Sequence, residues 1–320
     1  MTVRRVLVAL LAGLALLACL SGCRSGAARE WDEVPRVIAG GGTTGVYYSY
    51  GREIAAALRG DPGVEVQVAE TKGSVDNLQR IGAGEAVLGF TQSDAAADAV
   101  AGIGDFDAPL PIRAVARLYD EYVHVVVRAE SDIDGISELV GRRISLGAEG
   151  SGVSVVARRV LEAADVPLGA VQNSALGLGD SIAALEDSRI EAFFWVGGVP
   201  TPGIEQLAVS IPIRLLSIDT EVVERANAAH AGVYRISDFP VGAYGRSAPT
   251  MTMTVPNYLV TSADVPDRVV RDALASLFAA RGEIAREAPA AALLDRRLAI
   301  FTDPIPLHPG AEQYYRGVRG

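Results

Sequence analysis

Cysteine is almost absent from this chain. Its two cysteines, Cys19 and Cys23, lie near the start of a 320-residue sequence, so the rest of the chain can form no disulfide bond and offers no thiol nucleophile. Histidine is nearly as scarce, and His124, His230 and His308 are too far apart to form a metal-ligand motif. Basic residues are outnumbered, with a formal net charge of −10 at pH 7. Such an acidic chain argues against nucleic-acid binding, which requires a basic surface.

The motifs of nucleotide-hydrolysing and acyl-transferring enzymes are also missing. The chain has no Gly-x-x-x-x-Gly-Lys-Ser/Thr phosphate loop and no Gly-x-Ser-x-Gly nucleophile elbow. Its acidic pairs fall in segments that we interpret as loops, where solvated turn carboxylates are expected: Asp32-Glu33, Asp105 and Asp107, Asp120-Glu121, and Asp132 and Asp134. We therefore predict no catalytic residues, no metal site and no cofactor.

The start of the chain has the pattern of an export signal. Arg4 and Arg5 precede an uncharged, mostly apolar run over residues 6–20, which is too short to span a membrane comfortably. The run ends in Leu20-Ser21-Gly22-Cys23, which resembles the lipobox of bacterial lipoproteins. This pattern predicts a signal peptide over residues 1–22, a tether over residues 23–35, and an acylated Cys23 that anchors the protein outside the cytoplasmic membrane. Cys19 is a poorer acylation candidate, and an ordinary signal peptide is the alternative.

From residue 36 onward, short apolar strands alternate with helices. This alternation predicts an α/β fold with a mostly parallel sheet, and a body of about 300 residues favours two lobes. Ser74 is expected to cap the second helix, and Asp180 or Ser181 to open a later one. Strands are expected at residues 36–39, 64–69, 86–91, 112–118, 123–128, 143–146, 170–173, 191–196, 213–217 and 251–260.

A glycine-rich loop follows the first of these strands. Gly40-Gly41-Gly42-Thr43-Thr44-Gly45 leads into a helix whose apolar positions are Val46, Tyr50, Ile54 and Leu58. Glycines let the backbone approach a ligand closely, and the helix points its unpaired N–H groups and positive dipole end at the same place. The loop therefore predicts a site for an anion, either a phosphate or a carboxylate.

The same strand, loop and helix arrangement occurs a second time. Gly147-Ala148-Glu149-Gly150-Ser151-Gly152 follows the strand at 143–146 and precedes an apolar helix. Two such loops suggest two lobes that each direct a helix N-terminus at a shared cleft, where small ligands usually bind. The alternative is that glycines here only turn each strand into its helix.

A dinucleotide-binding enzyme is the main competing interpretation of the first loop. Gly40-x-Gly42-x-x-Gly45 fits the fingerprint, and Glu70 ends the next strand, where an acid could bind a ribose. Two points count against it. An exported protein has no ready supply of nicotinamide cofactor, and Thr43-Thr44 would crowd a pyrophosphate.

Six segments in order resemble the solute-binding subunits of TAXI-type TRAP transporters: residues 41–48, 73–78, 91–94, 147–152, 192–202 and 304–310. The resemblance runs from about residue 36 to the C-terminus. It implies a two-lobed periplasmic binding protein fold of type II, with a ligand cleft between lobes joined by two crossing strands. We place the crossings near residues 122–128 and 251–260. Lobe I would then comprise residues 36–122 and 251–320, and lobe II residues 123–250.

The resemblance also implies a small carboxylate ligand, such as glutamate, glutamine or a related acid. The residues that we expect to contact it in lobe I are Thr43, Thr44, Gly45, Tyr47, Ser74, Gln92, Ser93 and Asp94, and in lobe II Ser151, Gly152, Ser154, Trp195 and Gly198. Asp94 could accept a ligand ammonium or simply cap a helix, and Tyr47 and Trp195 could be cavity walls or ordinary core. Lys72 and Glu149 depart from the family pattern, and surface positions are expected for both.

The implied partner is a TRAP transporter membrane subunit, which moves the solute with an ion gradient. We expect a monomer that is attached to the membrane by its lipid and binds no nucleic acid. A ligand-sensing protein that reports to a membrane receptor or kinase would use the same cleft, and the sequence does not separate the two roles.

Overall fold

The computed structural model describes residues 30–60, 62–230, 232–245 and 249–318. Within them the strands form one sheet with the order β2-β1-β3-β10-β4-β7-β5-β6, while β8 pairs with β4 and β9 pairs with β10. The strands are β1 (Val37–Ala39), β2 (Gln67–Ala69), β3 (Leu88–Gln92), β4 (Ile112–Arg128), β5 (Arg143–Ser145), β6 (Gln172–Asn173), β7 (Ala192–Gly197), β8 (Ile213–Leu215), β9 (Arg235–Asp238) and β10 (Met251–Ser262).

Helices connect most of these strands. They are α1 (Val46–Gly60), α2 (Ser74–Gly82), α3 (Ser93–Ala101), α4 (Gly152–Ala163), α5 (Leu178–Glu186), α6 (Pro202–Ser210), α7 (Thr220–Ala229), α8 (Asp267–Ala279), α9 (Arg281–Glu287) and α10 (Pro309–Gly317). Short 3-10 turns occupy Ile136–Leu139, Leu168–Ala170, Ala243–Gly245 and Pro289–Leu293. Among the described residues, no helix combines the length and the apolar character needed to cross a membrane.

The sheet is mixed, whereas the sequence predicted a mostly parallel one. Parallel pairs join β1 to β2 and β3, and β5 to β6 and β7. At the centre, β10 runs antiparallel to β3 and β4, and β4 runs antiparallel to β7. An alternation of strands and helices shows where strands lie but not their direction, because the direction depends on pairing between distant segments.

The two longest strands, β4 and β10, join the two halves of the sheet. β10 pairs with β4 from Thr254↔Tyr122 to Ser262↔Ile112, and β4 continues beside β7 from Tyr122↔Gly197 to Val127↔Ala192. The sequence predicted two separate strands, at 112–118 and 123–128, but β4 is continuous. The polar residues Asp120 and Glu121 had suggested a loop, and they lie within the strand instead. The sequence also missed β9.

The hydrophobic core divides in the same way. One cluster joins α1, β3, α8 and the first part of β4, and it includes Tyr50, Ile54 and Phe90. Another joins α4, β7, α7 and the second part of β4, and it includes Val125 and Phe194. The predicted apolar positions of α1 are all buried, so this helix is held to the sheet by hydrophobic burial.

The start of the described chain differs from the expected tether. Trp31 is 0% exposed and packs in the same cluster as α1, and its Nε1 donates a hydrogen bond to Asp272 Oδ2 at 3.4 Å. The body therefore begins before residue 36, since burial of a tryptophan ring fixes that segment to the core. The predicted signal peptide and Cys23 lie outside the described residues.

Candidate functional site

A cavity of about 410 Å³ lies where the loops after β1, β2, β5 and β6 meet. These are carboxyl ends of parallel strands, the usual ligand position in open α/β sheets. Each of the four loops leads into a helix, so the first residues of α1, α2, α4 and α5 all line the cavity. The first N–H groups of a helix have no partner within it and carry partial positive charge. The cavity is therefore surrounded by groups that favour an anion.

The loop between β1 and α1 is fixed to its neighbour by hydrogen bonds. Gly41 has a φ of +75°, which favours glycine. Its N–H donates to Thr71 Oγ1 at 2.8 Å, and the N–H of Thr71 donates back to the carbonyl of Gly41 at 3.2 Å. Thr71 Oγ1 in turn donates to Asn77 Oδ1 at 2.6 Å. These bonds hold the predicted residues Thr43, Thr44 and Gly45 at the cavity wall.

The second loop is closed by Ser151. Its Oγ accepts a hydrogen bond from the N–H of Ser154 at 3.1 Å and donates to the carbonyl of Ala148 at 2.6 Å, so Ser151 is the N-cap of α4. The Ser151 hydroxyl, predicted to contact the ligand, is thus already engaged. Gly152, the first residue of α4, lines the cavity, while Ser154 does not belong to its lining.

The second loop contacts α2 across the cavity. The N–H of Asp76 donates to the carbonyl of Gly150 at 3.1 Å. Gly152 faces two side chains from the other half, and a Cβ added to it would lie 2.5 Å from Ser74 Oγ and closer still to Gln92 Oε1. A Cβ on Gly45 would likewise lie 3.4 Å from the Trp195 ring. Glycine at these positions lets the two sides approach closely.

Ser74 differs in its role from the predicted helix cap. It is the first residue of α2, and the N-cap is Gly73, whose φ of 117° favours glycine. The Ser74 Oγ accepts a hydrogen bond from the N–H of Gln92 at 3.1 Å and lies 3.4 Å from the hydroxyl of Tyr47. Ser74 therefore links α1, α2 and β3 at the cavity wall.

Glu121 is the main residue that the sequence interpretation missed. The prediction of a solvated turn carboxylate was wrong, because Glu121 lies in β4, is 1% exposed and lines the cavity. Tyr47 donates its hydroxyl to Glu121 Oε2 at 3.1 Å, and Tyr119 donates to Oε1 at 3.1 Å. Burial raises the pKa of the Glu121 carboxyl to about 8, although hydrogen bonds from Gln92 and the two tyrosines oppose the shift.

Asp94 is buried outside the cavity lining, with its carboxylate already paired. Arg159 Nη1 lies 3.1 Å from Asp94 Oδ2, and the hydroxyl of Tyr234 donates to the same oxygen at 2.7 Å. Arg159 Nη2 also pairs with Asp98 Oδ2 at 2.5 Å. The structure therefore offers no free Asp94 carboxylate for a ligand ammonium. Asp94 does not cap α3 either, since Gln92 is the N-cap.

The cavity brings together most of the residues named from the sequence. Those in its lining are Thr43, Thr44, Gly45, Tyr47, Ser74, Gln92, Ser151, Gly152 and Trp195. Those outside it are Ser93, Asp94, Ser154 and Gly198. Tyr47 and Trp195, for which the sequence left open a place in the cavity wall or in the core, contribute to both. Tyr47 also stacks on Phe90 with 5.3 Å between ring centroids, and Trp195 packs against two of the core clusters.

Four charged residues line the cavity without having been proposed as contacts of a carboxylate ligand: Glu70, Lys72, Glu121 and Asp180. Lys72 is exposed, as expected, but the wall of the cavity includes it. The segment around Asp180 was missed because α5 begins at Leu178, two or three residues earlier than predicted. Gly177 and Gly179 flank that start, and this spacing after a strand could have indicated a third glycine loop.

Known structures share this fold. One, described as a periplasmic transporter, matches with a TM-score of 0.54 and 13% identity over 89% of this chain and 92% of its own. The alkanesulfonate-binding protein SsuA from Xanthomonas axonopodis pv. citri, bound to MOPS, matches with a TM-score of 0.51 and 14% identity over 88% and 84%. A putative L-cystine ABC transporter protein from Listeria monocytogenes has a TM-score of 0.51 and 12% identity over 81% and 97%.

These likenesses define the fold as a type II periplasmic binding protein fold, in which β4 and β10 cross between two lobes and the cavity lies in the cleft. The mixed sheet also rules out the parallel dinucleotide-binding sheet considered from the sequence. A family model described as NMT1-like matches residues 38–318, which is most of the chain. The chain therefore belongs to the NMT1-like family.

Proposed function

We propose that this protein is the extracytoplasmic solute-binding subunit of a TAXI-type TRAP transporter. It captures a small carboxylate or amino acid, of the glutamate or glutamine kind, and delivers it to a membrane subunit driven by an ion gradient. The observation that carries this proposal is the convergence of four helix N-termini on one interlobe cavity. We propose that one lobe comprises residues 36–122 and 251–320, with the segment around Trp31 packed onto it, and that the other comprises residues 123–250.

The charges around the cavity favour a carboxylate over a phosphate. Helix N-termini supply partial positive charge. Among the lining residues, however, Lys72 is the one lysine or arginine, whereas three are acidic: Glu70, Asp180 and Glu121. A doubly charged phosphate near the charged carboxylates of Glu70 and Asp180 would be repelled more strongly than a singly charged carboxylate. The volume of about 410 Å³ lies within the range of small-molecule sites, about 300–1,000 Å³.

Closure of the lobes would signal that the site is filled. A ligand shifts the equilibrium between open and closed forms only through contacts that it makes in the closed form alone. A shift from 1:99 to 99:1 needs about 5.5 kcal/mol. Hydrogen bonds to a charged carboxylate contribute about 1.5–3 kcal/mol each, so a few bonds from the second lobe suffice.

Replacing Thr44 by alanine tests the proposed site. We expect affinity for L-glutamate to fall about tenfold, because the variant removes one hydroxyl donor to the ligand carboxylate. The melting temperature of the free protein should stay nearly unchanged, since Thr44 is exposed at the cavity. Thr220→Ala, at the start of α7 outside the cavity lining, is the matched control. Wild-type affinity of Thr44→Ala in calorimetry would remove the first loop from the site.

The proposed membrane anchor is tested by Cys23→Ala. Without the acylated thiol we expect the protein to move from the membrane fraction to the soluble extracytoplasmic fraction, because no other lipid attachment is proposed. Cys19→Ala is the control and should leave the protein with the membrane. If Cys23→Ala stays attached and Cys19→Ala is released, the acylated residue is Cys19.

A further inference from the structure

We propose that Glu121 binds an ammonium group of the ligand, so that the site selects amino acids over carboxylates that have no amine. This inference rests on the proposed function and deepens it by naming the class of ligand. It transfers to Glu121 a role that the sequence had suggested for Asp94, whose carboxylate the structure shows to be engaged by Arg159 and Tyr234.

The surroundings of Glu121 leave room for one more donor. An ionised carboxylate accepts about four hydrogen bonds. The hydroxyls of Tyr47 and Tyr119 occupy one site on each oxygen, and the Gln92 side chain contributes another hydrogen bond. The carboxyl is part of the cavity wall, so a ligand group can reach the remaining site. The Gln92 Oε1 beside it is buried and has no hydrogen-bond partner among the described residues, and a second N–H of the ammonium would supply one.

Glu121 lacks a cationic partner. In the part of the chain that the structure describes, no arginine, lysine or histidine forms a salt bridge with it. The titratable groups with the largest effects on its pKa are Tyr47 from α1, Tyr119 on its own strand and Asp94 from α3, and none of these is positive. Lys72 lines the same cavity but forms no salt bridge with Glu121. A buried carboxylate without a counter-charge is costly. A ligand ammonium would provide that charge.

The other acids of the cavity serve this role less well. Glu70 and Asp180 are exposed, so water already solvates their charges and an ammonium there would gain little. An amino acid with its ammonium at Glu121 would still direct its carboxylate to the helix N-termini that line the same cavity. The ammonium and the carboxylate of one amino acid would thus each find a complementary group in the same cavity.

The first experiment compares ligands in calorimetry on the purified protein. The panel contains the twenty protein amino acids and the amine-free acids glutarate, succinate and propionate. We expect at least one amino acid to bind at least tenfold more tightly than any amine-free acid. In Glu121→Gln, which replaces the protonated carboxyl by a neutral amide of the same shape, affinity for that amino acid should fall about 30-fold or more. Glu224→Gln, an exposed residue of α7 outside the cavity lining, is the matched control and should change affinity less than threefold.

The second measurement follows the proton. Burial holds the pKa of free Glu121 at about 8, so at pH 7 the carboxyl is mostly protonated, and a bound ammonium should expel that proton. Binding heats measured at pH 7 in phosphate and in Tris should then differ. Divided by the difference between the ionisation enthalpies of the two buffers, that heat difference should correspond to nearly one released proton. Affinity should rise with pH between 6 and 8 and level off above 8. Both effects should vanish in Glu121→Gln, whereas a purely structural role for Glu121 would leave them in place.

The outcomes separate the two proposals. If an amine-free acid binds as tightly as every amino acid, or if Glu121→Gln binds with wild-type affinity and proton release, the role of Glu121 is overturned while carboxylate binding stands. If no acid of either kind binds, both the role of Glu121 and the proposed carboxylate-binding function are overturned.

Discussion

Replacing Arg159 by methionine is expected to lower the free energy of unfolding by about 3–5 kcal/mol, because it leaves two buried carboxylates without their cation. Arg159 is 8% exposed, and it pairs with Asp94 at 3.1 Å and with Asp98 at 2.5 Å. Asp94 is 0% exposed, so water cannot replace the lost partner while the two lobes stay in contact. The methionine keeps most of the apolar stem, and the loss therefore reports on the charge.

The neighbouring residue supplies the control for this prediction. Arg158 also lies on α4 and pairs with Asp105, but its side chain is 39% exposed and that of Asp105 is 32% exposed. Such a pair is worth about 0–1 kcal/mol, so Arg158→Met should unfold at nearly the wild-type urea concentration. Urea unfolding of the free protein, followed by circular dichroism, compares the two variants.

The size of the loss also tests how the lobes associate in solution. Arg159 belongs to α4 in the proposed lobe II, whereas Asp94 and Asp98 belong to α3 in the proposed lobe I. If Arg159→Met costs less than 1 kcal/mol, the free protein must already expose these carboxylates to water by opening. If the cost is 3–5 kcal/mol, the cluster holds the lobes together without ligand.

Local sequence pattern was enough to predict two of the loops that line the cavity. Gly41 and Gly147 have positive φ values of 75° and 90°, and the loops that contain them lead into α1 and α4 at the cavity. A glycine at a strand end followed by hydroxyl residues and an amphipathic helix is a signal contained within about ten residues. The resemblance then gave the two crossing strands, which β4 and β10 provide.

The parts that the sequence did not predict depend on distant pairing. Asp120 and Glu121 looked like a turn, since two acids in succession are unusual in a strand. Pairing of β4 with β10 holds this stretch extended, and Tyr47 from α1 covers Glu121. Asp94 looked like a ligand contact because its motif lies beside Gln92. Its carboxylate instead forms an ion pair with Arg159, which lies 65 residues later in the chain. Neither partner could be identified from spacing along the chain.

Gly152→Ala is expected to weaken binding of L-glutamate at least tenfold without preventing the protein from folding. Gly152 begins α4 at a position with no positive φ, so alanine is favoured there by helix propensity. Its methyl group would lie 2.5 Å from Ser74 Oγ and closer still to Gln92 Oε1. Ser74 and Gln92 are each 1% exposed, and Ser74 Oγ is held by the hydrogen bond that it accepts from the backbone N–H of Gln92, so neither side chain has open solvent to move into.

The lobes can avoid that clash most easily by moving apart. This separation removes the contacts between the lobes on which closure depends. Gly282→Ala, in α9 with open space around the new Cβ, is the control and should leave affinity unchanged. Calorimetry gives the affinity, and small-angle scattering with saturating L-glutamate should show a larger radius of gyration for Gly152→Ala than for the wild type. Wild-type affinity and radius would mean that Ser74 and Gln92 rearrange within a closed cleft. The close approach of Gly152 to Ser74 and Gln92 would then be a feature of packing that ligand binding does not require.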